Sequence, residues 1–348
     1  MVVSYKLNQE SLESLVSRTS EKANVHGLVF HIESEDNSIS LTSSAGNMTN
    51  DSQYYIASIN KLMISFITLR LCQEKKLNLN DKIAGYLPKD TLEGLLIYNG
   101  KDYTDSITIK QLISHTSGLP CYLLDKRPDG KHNMKLILNG NDQSWPFTKV
   151  VEEVKKMKPA FTPGTKGKAN YSETNFRIMD QILKVATGEN IEVLLTSVFR
   201  ELKMNNTFVV HPGSALSCVP VFFKKNQISL SKYWESTHHD IVSTAVDQMK
   251  FIKAFFNGEY IPAAQIDDLK KWNNIFFPFR YGIGIQEFYI PRMFSPFKAV
   301  PEMIGHGGSV GSVAFYIPEK KAYITGTINQ TSSPDIAYQF IVKVIMKL

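Results

Sequence analysis

Residues 62–72 read LMISFITLRLC, and eight of these eleven are Leu, Met, Ile, Phe or Cys. Apolar side chains then fall on every side of a helix, so this segment is expected to run through a core and not along a surface. It is too short to span a bilayer, which takes about 20 apolar residues, and Arg70 lies inside it. A chain organised around such a helix needs other elements to cover it on all sides. With 348 residues, 43% of them hydrophobic, there is enough chain for about two domains and an enclosed site.

Composition removes several alternatives. The 39 Lys and Arg and 33 Asp and Glu give a net charge of +6, with no basic run longer than KKMK at 155–158, so a nucleic-acid partner has little support. Cys72, Cys121 and Cys218 are odd in number and far apart, which suits small buried hydrophobes better than a disulfide framework or a metal cluster. The opening MVVSYKLNQESLESLV has neither a basic leader nor a long apolar core. A cytoplasmic location is therefore expected, unless a leader was removed beforehand.

Along the chain, residues 8–22 read as a surface helix and 27–46 as a β-hairpin. The buried helix follows, starting near Ser58. From about 76 to 224 short helical pieces alternate with turns such as Pro128-Asp129-Gly130 and Pro163-Gly164. A helix is expected over 244–257, strands over 281–290, 312–317 and 322–328, and a last helix over 334–347. The fold class is α/β (α+β), one α/β region built from residues 1–75 and 225–348, with a helical, loop-rich region at 76–224 inserted and the active site in the cleft between them.

The chemistry begins at the head of the buried helix. Ser58 and Lys61 are three residues apart and share a helix face. A lysine entering apolar surroundings loses hydration of its charge, which lowers its pKa and lets it accept a proton or hold a nearby phenolate. It can then activate the serine, while helix N-terminal N–H groups favour an oxyanion. The plainer possibility is a capping serine beside a lysine that reaches out to water.

The company kept by Ser58 and Lys61 is more informative. Tyr55 to Lys61 is followed by Leu77, Asn78, Leu79, Asn80 and Asp81, then Tyr86-Leu87-Pro88, ITIKQLISHTSGLP at 107–120, and Pro163-Gly164 ahead of Tyr171-Ser172-Glu173. STAVD at 243–247, YGIG at 281–284 and Gly305-His306-Gly307-Gly308 complete the series. In this order the motifs resemble the serine β-lactamase and penicillin-binding-protein-like family, in its branch of class C β-lactamases, D-alanyl-D-alanine carboxypeptidases, D-aminopeptidases and β-lactamase-like esterases. The resemblance runs from about residue 50 to 330 and implies an antiparallel sheet flanked by helices with a mostly helical insertion.

By that resemblance Ser58 is the acylated nucleophile and Lys61 its proton-transfer partner. Tyr171 is general base with the lysine and then acid for the leaving group, the two groups together lowering the cost of a phenolate. The N–H groups of Ser58 and Ser309 form the oxyanion hole, and Glu173, His306, Gly307 and Gly308 bind substrate. No cofactor or metal is implied. The partner is a small-molecule or short-peptide substrate, with no nucleic acid and no membrane span, and the oligomeric state is left open. Two positions depart from the family's pattern. Glu173 stands where an Asn amide is usual, to receive a substrate cation or to bond a neighbouring side chain. Gly307 stands where a Ser or Thr hydroxyl helps to hold a substrate carboxylate. Weak carboxylate recognition follows, pointing to an esterase, amidase or D-aminopeptidase-like hydrolase with little or no β-lactamase activity. An acyltransferase using the same acyl-enzyme and a catalytically inactive binding protein are the alternatives.

Three other patterns carry less. Residues 307–311 spell GxSxG, but a strand and not a helix is expected after them, and no histidine follows His306 to complete a triad. His238, His239 and Asp240 suit a polar loop near the site mouth better than a metal centre. His115 reads as a turn residue bonding backbone.

Overall fold

Gly27–Ser34 and Ser40–Gly46 form the expected hairpin. In the computed structural model, which describes residues 6–211, 218–294 and 299–348, this hairpin is one side of an eight-stranded sheet. The other strands are Asn273–Phe276, Phe279–Tyr281, Gln286–Phe288, Met303–Gly307, Ser312–Ile317 and Ala322–Thr327. Neighbours are antiparallel throughout, and Gly27–Ser34 pairs with Ala322–Thr327, with Phe30 opposite Gly326. The two ends of the chain thus meet in one sheet, and the fold is the mixed α/β arrangement that the motif order implied.

Strand periodicity sends successive side chains to opposite faces. Leu28, Phe30 and Ile32 join one core with Leu12 and Val16 of helix Gln9–Ser20 and with Phe340 and Ile341 of helix Asp335–Ile345. Phe30 stacks on Phe340, with ring centroids 4.0 Å apart. Val29, from the same strand, faces the other core, where helix Ala245–Phe256 and the apolar helix Asn60–Gln73 lie. As the composition of residues 62–72 demanded, every residue from Asn60 to Leu69 is buried. Among the described residues, no helix is long and apolar enough to cross a membrane.

The stretch 281–290 differs from its expected single strand. It breaks at a turn over 282–285, closed by the Gly282 N–H bonding the Ile285 carbonyl at 2.9 Å, so that Phe279–Tyr281 and Gln286–Phe288 pair with each other. The apolar isoleucines at 283 and 285 hid the turn, because they are buried against the helical side and not on a strand. The GxSxG segment is the turn between strands Met303–Gly307 and Ser312–Ile317, with no helix after it.

That turn clamps the start of the buried helix. Ser312 Oγ donates to the Ile56 carbonyl at 2.7 Å, and the Gly308 N–H bonds the Ser312 carbonyl at 2.8 Å. A Cβ on Gly308 would lie 2.7 Å from the Ile56 oxygen and 2.2 Å from Ser312 Oγ. Gly308→Ala is therefore expected to force strand and helix apart, at a cost of about 1–3 kcal/mol typical of overpacking. In urea the midpoint should fall with an unchanged m-value; an unaltered midpoint would show that the two elements separate freely.

Candidate active site

Ser58 is delivered by a strained turn. Ala57, just before it, has φ +48°, in the left-handed region that side-chain-bearing residues rarely occupy. Such conformations cost about 1–3 kcal/mol and persist where their surroundings enforce them. Here the clamp from Ser312 holds one side, and the Ile56 N–H bonds the Ile241 carbonyl at 3.0 Å on the other. A 3-10 turn, Ala57–Ile59, then leads into helix Asn60–Gln73, whose first N–H groups receive no side-chain cap. Ser58 is thus not a capping serine. Lys61 is 1% exposed and does not reach out to water; its Nζ donates to Ser58 Oγ at 3.3 Å.

Tyr171 precedes helix Glu173–Thr187 and lies beside the Ser58 side chain, with which it lines the same cavity. Its ring lies 5.6 Å from Lys61 Nζ and 4.4 Å, centroid to centroid, from His115. Burial pushes the phenol well above its ordinary range, and the Glu173 charge adds to the shift. Tyr171 is therefore a neutral phenol at neutral pH, where its closeness to a lysine alone suggested an accessible phenolate. Burial is the first reason and Glu173 the second; its Oε2 lies 2.5 Å from Lys61 Nζ. The ammonium's field is spent on a carboxylate before it reaches the tyrosine.

The ion pair extends inward. Glu173 Oε1 faces His239 Nε2 at 3.5 Å, and His239 Nδ1 meets Asp180 Oδ2 at 2.6 Å. Burial opposes charge on His239, but Asp180 outweighs it and the imidazole's pKa is pushed up to about 9. Burial likewise opposes charge on Glu173, yet Lys61 and His239 hold its carboxyl well below the usual range. The result is a buried row of alternating charge, Lys61, Glu173, His239 and Asp180. Cys121 Sγ accepts the Glu173 N–H at 3.3 Å and sets the start of this row.

The expected polar loop at 238–240 is thereby corrected. His239 and Asp240 are 1% and 2% exposed, because they supply buried charge and not a rim. Both Asp240 oxygens accept hydroxyl protons, from Tyr55 and Thr237. His115 does bond backbone, its Nδ1 accepting the Ser172 N–H at 3.0 Å and so fixing the residue next to Tyr171.

His306 needs a second correction. It is fully buried, with Nδ1 2.8 Å from the Gly307 carbonyl and Nε2 3.1 Å from the Tyr281 hydroxyl, and burial lowers its pKa to about 3. A neutral ring with both nitrogens occupied supports Tyr171 from behind, 6.3 Å between centroids, and takes no part in the wall facing a ligand. Gly307, Gly308 and Ser309 do line that wall. Two cavities meet at Ser58, Glu173 and Ser309. One is apolar, lined by Ile137, Val221, Leu230 and Val310 with Tyr55 and Asp240. The other is more aromatic, with Tyr171, Phe276, Phe279 and Tyr338. Sequence reasoning missed His239, Asp180 and Tyr338; a Glu in place of an amide beside a buried lysine was the signal that further buried charge had to be near.

Opposite pKa shifts predict a stability maximum near neutral pH. His239, with a raised folded pKa, contributes stability that is fully present below about pH 6.5, the unfolded value, and is lost as pH rises through about 9. His306 and His115 have depressed folded values, so the unfolded chain takes up protons preferentially below about pH 6.5 and stability falls on that side too. Urea midpoints should therefore drop from pH 7 to 9.5, and less so in His239→Gln. An equal drop in the variant would remove His239 from this role.

Known proteins resemble this chain in sequence and in fold. Residues 12–342 match the family model described as Beta-lactamase. Protein flp of Staphylococcus aureus (strain NCTC 8325) is 30% identical over 156 residues, which are 44% of this chain and 28% of flp, so the match spans under a third of that relative. A D-stereospecific amidohydrolase from Streptomyces sp. superposes with a TM-score of 0.74 at 21% identity, covering 97% of this chain and 98% of that one. EstCE1, described as a hydrolase with promiscuous acyltransferase activity, gives 0.78 at 16%, with the same coverage. At these identities the structural likeness is one of fold. Matched over nearly its whole length, the chain belongs to the beta-lactamase family, a family of serine hydrolases.

Proposed function

We propose that this protein hydrolyses neutral esters or amides through an acyl-enzyme on Ser58. The observation that carries the reading is the contact of Lys61 Nζ with Ser58 Oγ, at 3.3 Å, beside the Tyr171 ring, 5.6 Å from the same Nζ, where two cavities join. Tyr171 lines only the aromatic cavity, so the leaving group that it protonates belongs there and the acyl group in the apolar one.

Proton flow follows from the contacts. Once Lys61, held 2.5 Å from Glu173, has released a proton to solvent, its free amine takes the Ser58 proton and Oγ attacks the carbonyl carbon. The N–H groups of Ser58 and Ser309 hold the resulting oxyanion. Collapse breaks the bond to the leaving group, which takes the Tyr171 proton, and the proton now on Lys61 restores the phenol. Water then repeats the sequence and releases the acid. Tyr171 serves as the acid, and Lys61, positioned by Glu173, as the base.

Substrate charge is restricted by the same contacts. Among the described lining residues of the two cavities, Lys61 is the only Lys or Arg, and it is paired with Glu173. A substrate carboxylate would be left without a counter-charge, which supports an ester or amide over a β-lactam or a D-Ala-D-Ala peptide. A substrate ammonium fares no better, since Glu173 is held by Lys61 and His239, and Asp240 by two hydroxyls. Of the two roles open to Glu173, bonding a neighbouring side chain is the one supported.

The native protein should hydrolyse p-nitrophenyl esters of short uncharged acids and carry a fluorophosphonate label at Ser58, visible by mass spectrometry and absent in Ser58→Ala. Absence of both label and turnover in the native protein would leave the inactive-binding alternative standing. Lys61→Ala and Tyr171→Phe should each slow acylation by about 100- to 10,000-fold; near-native rates would remove the proton roles given to them. Against the same esters, nitrocefin and D-Ala-D-Ala peptides should be poor substrates, and comparable kcat/KM values would show that a carboxylate is recognised after all.

A further inference from the structure

Gly307 offers no side chain to the aromatic cavity, and the space it leaves is occupied. A Cβ there would lie 1.9 Å from Tyr338 Oη and 2.9 Å from Cζ. The tyrosine arrives from behind the sheet on helix Asp335–Ile345. Its ring stacks on Phe288 at 5.0 Å and meets the edge of Phe279 at 4.9 Å, so it is gripped on more than one side. Its tip reaches the cavity that also exposes Ser58, Tyr171 and Ser309. Among the described residues, nothing hydrogen-bonds Tyr338 Oη.

We propose that Tyr338 donates a hydrogen bond to a neutral acceptor on the leaving group, a carbonyl or ether oxygen, and so selects leaving groups that carry one. The ring's packing fixes the hydroxyl, so little freedom is lost when the bond forms. Burial pushes the phenol's pKa upward, which keeps it a donor at neutral pH. A leaving group without an acceptor would expel water from the hydroxyl and leave it unpaired, a penalty in addition to the missing bond. An anionic group gains little, because no unpaired cation stands on this wall among the described residues. The proposal rests on the acyl-enzyme reading for its placement of the leaving group.

Two acetate esters separate the cases, that of 4-hydroxyacetophenone, with a carbonyl acceptor, and that of 4-ethylphenol, without one. Tyr338→Phe keeps the ring and removes only the hydroxyl. The ratio of kcat/KM for the two esters should fall by about 3- to 10-fold in the variant, the range of one neutral hydrogen bond. Comparing ratios cancels the difference in leaving-group reactivity. An unchanged ratio, whether both esters slow equally or neither does, overturns the proposal and leaves Tyr338 as wall packing. If Ser58 is never acetylated, the acyl-enzyme reading has failed on its own. The donor is then read by calorimetry from binding of 4-hydroxyacetophenone and 4-ethylphenol to both proteins: selective weakening of the ketone in Tyr338→Phe supports it, and equal binding refutes it.

Discussion

The site depends on one ion pair, Lys61 with Glu173. A lysine in the first turn of a helix that is buried on every side has no route to water, and an uncompensated ammonium there would cost several kcal/mol. Glu173 compensates it at 2.5 Å but is itself buried, so it too needs a counter-charge. His239 supplies that charge and in turn requires Asp180. Each burial compels the next, and the row ends at Asp180, beside a polar cavity that also exposes Glu192 and His238. Burial first, and then the Glu173 charge, raises the cost of a phenolate at Tyr171. A carboxylate where the family usually has an amide therefore changes the electrostatics of the site.

Much of this was legible in the chain, and what was legible was local. Ser58 and Lys61 are a helix turn apart, and the segment after them is too apolar to lie at a surface. The hairpin at 27–46 and the helices at either end announce themselves by period and by turn residues. Tyr171, Glu173 and Ser309 were readable only through motif order, because residues over 100 positions from Ser58 carry no local mark of sharing its pocket. His239 was misread for a related reason. Two histidines and an aspartate in a row look like a solvated loop, and only the burial of Glu173 from another element turns them into obligatory counter-ions. His306 was placed on the right strand, but burial faces its ring away from the ligand, and strand alternation alone does not tell which side a one-residue step exposes when both faces are covered.

The two departures from the family's motifs are each met by residues from elsewhere in the fold. Where the amide is replaced, a carboxylate brings His239 and Asp180 with it. Where the hydroxyl is lost at Gly307, the tip of Tyr338 fills the space from another layer of the fold. Neither compensation is near in sequence, so a single motif read by itself looks degraded when the pocket is complete.

This also explains why the strain sits where it does. Ala57 is held at positive φ by bonds from Ser312 and Ile241, that is, by the sheet turn at 307–312 and by the short strand Ile241–Ser243 two residues beyond His239. The Ser58 hydroxyl is thereby referred to the sheet on one side and to the charge row on the other, while Tyr171 is referred to His115 through Ser172. Separate parts of the fold thus fix Ser58 and Tyr171, and neither is held by a flexible side chain alone. An error of about 1 Å in any of them would separate groups that now stand at 2.5 to 3.3 Å. Glycine at 308 is the point where such an error is most easily introduced, because a Cβ there would press at once on the Ile56 carbonyl, the Ala57 Cβ and the Ser312 hydroxyl that clamps the two turns together.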